Sequence, residues 1–140
     1  MRVLLDTNIL SEVTRSVPDP RVMEWLDKLD EDRAFISVIS IAEIGRGVAL
    51  MDEGRKRDIL SEWLAQDLLL RFEHRVLAVD EPVALAWGNL MGLAKRRGRG
   101  LSSMDGLIGA TAIANKLTLA TRNIKDFDAF EIDLYNPWTT

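Results

Sequence analysis

The chain has 140 residues, 47% of them hydrophobic and 29% charged, which is enough for one domain with a proper core and excludes a disordered chain. It has no cysteine and one histidine, His74, which argues against a disulfide framework, a thiolate or multi-histidine metal site, and a cysteine- or histidine-based triad. A net charge of -4 does not suggest a general nucleic-acid binder but leaves local basic patches open.

Val3 to Leu5 reads as a short buried strand that stops abruptly at Asp6. A carboxylate beside a buried strand costs free energy unless something pairs with it. Pro18, Asp19 and Pro20 mark the entry of a helix that runs to about Lys28. "AFIS", Ala34 to Ser37, is a second strand. Ser40 then starts a helix with Ile41, Ile44, Val48 and Met51 along one face, and Ser40 and Glu43 have capping-box spacing.

Ile59, Leu60, Trp63, Leu64 and Leu68 mark a further amphipathic helix, and "RVLAV", Arg75 to Val79, a strand. Asp80 followed by Pro82 opens a helix carrying Val83, Trp87, Leu90, Met91 and Ala94 on one face, which ends in the basic run "KRRGRG". Ser102 caps a helix from about Ser103 to Asn115. "LTLAT", Leu117 to Thr121, and "FEIDLY", Phe130 to Tyr135, complete the strands. Strands alternating with helices predict an α/β fold with a mostly parallel central sheet flanked by helices, in a single domain spanning 1–140. No apolar run is long enough to cross a bilayer, and the N-terminus lacks the features of a signal peptide, so a cytoplasmic protein without membrane attachment is expected.

In parallel sheets the working crevice lies at the carboxyl ends of the strands. Asp6 is at such an end, and Asn123 follows another. Glu43 and Asp105 are expected in the first turns of their helices, where acids also favour the macrodipole and act as caps. Asp126 fits a surface turn equally well. Gathered in one pocket, Asp6, Glu43 and Asp105 would repel one another unless protonated or neutralised by a cation. Hard oxygen ligands suit magnesium or manganese, which can polarise a phosphate and activate water. Gly109 and Ala112, beneath Asp105, would let their helix approach the sheet. Lys95, Arg96, Arg97 and Arg99 are either cations at a helix C-terminus or a phosphate-binding rim, and Arg46 and Arg122 are further candidate nucleic-acid contacts. The four tryptophans fall mostly on apolar helical faces and read as core or interface.

"LLDTNIL", "SVISIAEIGRGV", "MDGLIGATAIAN", "LATRNIKDF" and the terminal "YNPW" together resemble the PIN-domain ribonucleases, and within them the VapC toxins of toxin–antitoxin systems, especially their FitB-like branch. The resemblance spans nearly the whole chain. It implies the PIN-type three-layer fold and a magnesium- or manganese-dependent endoribonuclease. It also implies inhibition by a small antitoxin, and a homodimer that can assemble further with that antitoxin. Asp6, Glu43 and Asp105 match the family's catalytic, metal-binding acids. Asn123 stands where a fourth acid is usual, with Thr121 as the neighbouring hydroxyl and Asn8 as a supporting polar residue.

Asn123 brings no negative charge, so Asp126, three residues on, is the alternative fourth group. The substitution also keeps open a catalytically weakened PIN domain that mainly binds a partner or nucleic acid. A haloacid-dehalogenase-type phosphatase would want an Asp where Asn8 stands. A receiver-like module would want an acid on the third strand, where Asp80 reads instead as a helix cap.

Overall fold

The computed structural model describes residues 1–139. Its centre is a five-stranded, all-parallel sheet in the order β3-β2-β1-β4-β5. The strands are β1 (Val3–Leu5), β2 (Ala34–Ser37), β3 (Val76–Leu77), β4 (Thr118–Ala120) and β5 (Leu134–Tyr135). The central strand β1 is buried on both faces, as parallel strands generally are, whereas the edge strands β3 and β5 are half-buried. Val3, Leu4 and Leu5 are all buried. By strand alternation Val3 and Leu5 join one core cluster with Ile9, Leu10, Val22 and Phe72, while Leu4 joins the opposite one with Ile108, Ala112 and Leu119.

Between the strands lie α1 (Thr7–Val13), α2 (Pro20–Lys28), α3 (Val38–Ala49), α4 (Arg55–Glu62), α5 (Leu69–Arg71), α6 (Glu81–Arg96), α7 (Ser103–Asn115) and α8 (Ile124–Phe127). A π-helical stretch, Trp63–Leu68, joins α4 to α5. The entries follow their caps. Asp19 caps α2 with Pro20 at the first position, Asp80 accepts from the Val83 amide, and Ser102 accepts from the Asp105 amide.

Several sequence expectations change. The α3 helix begins at Val38 with Ser37 as its cap, so Ser40 lies within the helix and Glu43 in its second turn. Strand β2 runs into the helix without a connecting residue, and that leaves the cap to Ser37. The helix α1 follows β1 directly, with Asp6 as its cap. Strand β3 is confined to Val76–Leu77 and β5 to Leu134–Tyr135. Ala112 faces the sheet as expected, but Gly109 does not. A Cβ at Gly109 would meet Leu90, Ile132 and Phe127, so that glycine accommodates α6 and the chain before β5. Trp25 stacks on Tyr135 with ring centroids 5.3 Å apart, and Trp138 is buried. Among the described residues no helix is long and apolar enough to cross a membrane.

Strand order explains where a site can form. From central β1 the chain builds outward through β2 and β3 on one side, then returns to lay β4 and β5 on the other. The two windings part at the carboxyl ends of β1 and β4, which opens a crevice there.

Candidate metal centre

Asp6 is the first residue after β1, and its amide donates to the Ala120 carbonyl at 2.9 Å, extending the β1–β4 pairing by one step. This fixes the backbone so that the carboxylate enters the crevice. Oδ1 accepts the Thr7 amide at 2.7 Å, and Oδ2 accepts the Thr121 hydroxyl at 2.7 Å. The Asn8 amide nitrogen reaches both Asp6 Oδ2 at 3.4 Å and Thr121 Oγ1 at 3.3 Å. Thr121 Oγ1 in turn accepts from the Asn123 amide at 3.0 Å. The β4 exit is thereby folded around Asp6.

A second relay holds Glu43. Thr7 Oγ1 donates to Glu43 Oε1 at 2.7 Å and lies 2.8 Å from Ser40 Oγ. A hydroxyl has one proton, so Thr7 spends it on Glu43 and Ser40 is the donor to Thr7. Ser40 therefore does not cap its helix; it anchors α1 to α3. The amide of Asp105 is taken by the Ser102 cap, whereas its carboxylate has no hydrogen-bond partner among the described residues.

These groups line one cavity of about 710 Å³, bounded by Asp6, Thr7, Asn8, Ser11, Glu12, Arg15, Glu43, Asp105, Arg122 and Asn123. Of the residues singled out from sequence, the fold brings together Asp6, Asn8, Glu43, Asp105, Arg122 and Asn123 there, with Thr121 directly behind Asp6. Asp126 lies exposed in α8, outside the cavity lining. Arg46, Lys95, Arg96, Arg97 and Arg99 also lie outside it. Arg97 bonds the Ala129 carbonyl, and Arg99 bonds the Lys125 carbonyl at 2.6 Å and the Asp128 carboxylate at 2.8 Å, so both hold the segment after β4.

Thr7, Glu12 and Arg15 were not singled out from sequence, and Ser40 reads there only as a helix cap. Asp6 followed by Ile9, Leu10 and Val13 is a cap and a helical apolar pattern that would have revealed α1, and with it Thr7 and Glu12. The Thr7–Ser40 contact joins residues 33 apart in sequence and has no local signal.

Burial pushes the Asp6 carboxyl up to about 6, against the Thr121 and Thr7 hydrogen bonds that lower it, and the charges of Asp105 and Glu43 add to the rise. Among the described residues none of these three carboxylates is in an ion pair. The donor set is all oxygen and carries negative charge that no side chain neutralises, which fits a hard divalent cation. Among the described residues no three acidic or histidine side chains converge tightly enough to chelate one ion. The carboxylates instead surround the cavity at longer range, an arrangement suited to an ion that keeps part of its water shell, as magnesium does.

The sequence matches the PIN domain family over residues 3–132. It is 42% identical over 136 residues to Toxin FitB of Neisseria gonorrhoeae, covering 97% of this chain and 98% of that protein. It is 35% identical over 136 residues to a VapC ribonuclease of Sinorhizobium fredii, covering 97% of each chain. The fold superimposes on the crystal structure of FitAcB from Neisseria gonorrhoeae with a TM-score of 0.93 and 41% identity, covering 99% of both chains.

Proposed function

This chain belongs to the PIN-domain family, and on that premise we propose that it is a divalent-metal-dependent endoribonuclease, the toxin of a toxin–antitoxin pair. The observation that carries the reading is the cavity at the β1–β4 parting, which Asp6, Glu43 and Asp105 line with none of the three in an ion pair among the described residues. Its relatives include a named toxin and a named ribonuclease.

Asp6, Glu43 and Asp105 would hold magnesium or manganese, with Asn123 offering a carbonyl oxygen to the ion or its water. When bound, the metal neutralises phosphate charge and lowers the pKa of water. Thr121 and the Thr7 amide keep the Asp6 oxygens oriented and favour its ionised form. Ser40, through Thr7, fixes Glu43 on the opposite wall. The Thr7 amide uses one lone pair of Asp6 Oδ1, while Thr121 and the longer Asn8 contact use those of Oδ2, leaving acceptor capacity on Oδ1.

The same charge makes the cavity a receptor for a cationic side chain. We propose that the cognate antitoxin, a small protein, closes it with Lys or Arg, since guanidinium pairs bidentately with carboxylate. A homodimer, which can assemble further with the antitoxin, and a cytoplasmic location complete the proposal. The deciding experiment is magnesium-dependent cleavage of mixed RNA by the purified protein freed of any co-purified neighbour. Cleavage is expected, and Asp105→Asn should abolish it while retaining the native circular-dichroism spectrum. Because Asn123 supplies no charge, a weakened nuclease that mainly binds is the second reading. RNA binding without cleavage at saturating metal would select it.

A further inference from the structure

An RNA strand approaching the acidic cavity meets four carboxylates and two guanidinium groups, Arg15 and Arg122. The phosphate backbone is repelled by the first set, so the placement of the second decides how a strand can enter. One carboxylate differs from the others. Glu12 is buried, and its oxygens are already engaged: both accept Arg15 Nη1 at 3.2 Å, and Oε2 also accepts the Asp19 amide at 2.7 Å. This carboxylate is therefore spent on the protein and is poorly available to a metal. It ties the start of α2 to α1 and holds one corner of the Arg15 head.

Arg15 itself is 60% exposed while Glu12 is 4% exposed. Its Nε and Nη2 groups have no partner among the described residues, so its remaining donors face outward. Arg122, in the turn after β4, is also exposed and lies over the ring of buried Trp138, 5.3 Å from the centroid. A cation stacked on an aromatic face is held in place without using its N–H donors. Asp19, held down at about 2 mainly by hydrogen bonds from Arg21, also feels the charge of Arg122. Arg15 is tied to the start of α2 through Glu12, and Arg122 lines the same cavity.

We propose that Arg15, positioned by buried Glu12, and Arg122, positioned by Trp138, form a two-pronged phosphate clamp at the mouth of the acidic cavity that grips single-stranded RNA beside the scissile bond. This rests on the proposed ribonuclease function. Glu12 is a positioning residue, and Arg15 and Arg122 are the groups that touch substrate. The basic run Lys95 to Arg99 has no part in the clamp, since it lies outside the cavity lining and Arg97 and Arg99 are committed to the segment after β4.

The test separates binding from cleavage by using Asp105→Asn as the background and a fluorescein-labelled single-stranded RNA of mixed sequence as the probe, followed by anisotropy across a salt series. Each lost phosphate contact should reduce the slope of log affinity against log salt by about 0.7, so Arg15→Gln and Arg122→Gln should each do so and together lose about twice that. Arg15→Lys should keep most of the slope.

Glu12→Gln is the sharper variant. It removes a negative charge from the cavity, so charge alone would make RNA bind more tightly. Release of Arg15 from its anchor should make it bind more weakly, by several-fold. Thermal melts identify any unfolding of that buried variant, and the exposed Arg15→Gln stands in for it if it unfolds. With Asp105 intact, the arginine variants should raise KM more than they lower kcat. Unchanged salt slopes for both arginine variants, or no RNA binding by the Asp105→Asn protein, would overturn the clamp. Failure of the wild-type chain to cleave RNA overturns the functional proposal separately.

Discussion

Thr121 donates its hydroxyl proton to Asp6 across 2.7 Å, joining the ends of two neighbouring strands by side chains that are 115 residues apart in sequence and both buried. The bond favours the ionised carboxylate while burial disfavours it. Thr121→Val removes the donor at nearly constant shape, and a hydrogen bond to a charged group contributes about 1.5–3 kcal/mol. The Asp6 carboxyl should then titrate above its present value of about 6. The acidic limb of the RNA-cleavage pH profile should move to higher pH, and an unmoved limb would remove Thr121 from the control of Asp6.

Asp6 also makes metal-free stability depend on pH. Its carboxyl is raised from 3.8 to about 6 on folding, so between those values the folded protein keeps a proton that the unfolded chain has lost. The stabilisation from this group is full below about pH 4 and is lost as pH rises through about 6, amounting to roughly 2–3 kcal/mol. Asp6→Asn should flatten that part of the stability curve in chelator-treated protein. Magnesium binds the ionised form, so it should raise the melting temperature more at about pH 7.5 than at about pH 5. Equal magnesium shifts at both would place the ion away from Asp6.

Asn123 lines the cavity and Asp126 does not. If catalysis uses two metals about 4 Å apart, their mutual repulsion has to be offset by nearby negative charge. Asn123→Asp should therefore lower the metal concentration for half-maximal RNA cleavage, with a smaller change at saturation. Asp126→Asn should leave the midpoint in place. The opposite pattern in metal titrations would assign the fourth position to Asp126.

Gly109 tests the packing beneath Asp105. An added Cβ would lie 3.2 Å from Leu90 Cδ2, 3.3 Å from Ile132 Cδ1 and 3.3 Å from Phe127 Cε1. Alanine gains up to about 1 kcal/mol in helix propensity, but crowding three side chains at once costs about 1–3 kcal/mol. Gly109→Ala should be destabilised by about 1 kcal/mol in urea unfolding, and a stabilised variant would show that α6 can move outward freely.

The sequence by itself determined the α/β class, the parallel sheet and the entries of α2, α6 and α7, because those depend on local signals: apolar runs, Asp and Ser caps, and early prolines. It also directed the search for a site to carboxylates, since there is no cysteine and His74 is alone and exposed. The motifs around Asp6, Glu43 and Asp105 pointed to three acids that the fold places on one cavity lining. What the sequence left open was their setting. Ser40 looked like a cap for Glu43, and only the packing of α1 against α3 makes it a link to Thr7. Asn123 matched the fourth position in the sequence with Asp126 as the alternative, and the turn after β4 puts Asn123 in the cavity lining and leaves Asp126 outside it. The basic run read either as cations at a helix end or as a rim, and the fold ties Arg97 to a backbone carbonyl and Arg99 to a backbone carbonyl and Asp128, while Arg15 and Arg122 line the cavity. The physical reason is common to all three. Caps and periodicity act over a few residues, whereas hydrogen-bond partners, burial and charge crowding depend on which strand ends the topology brings together.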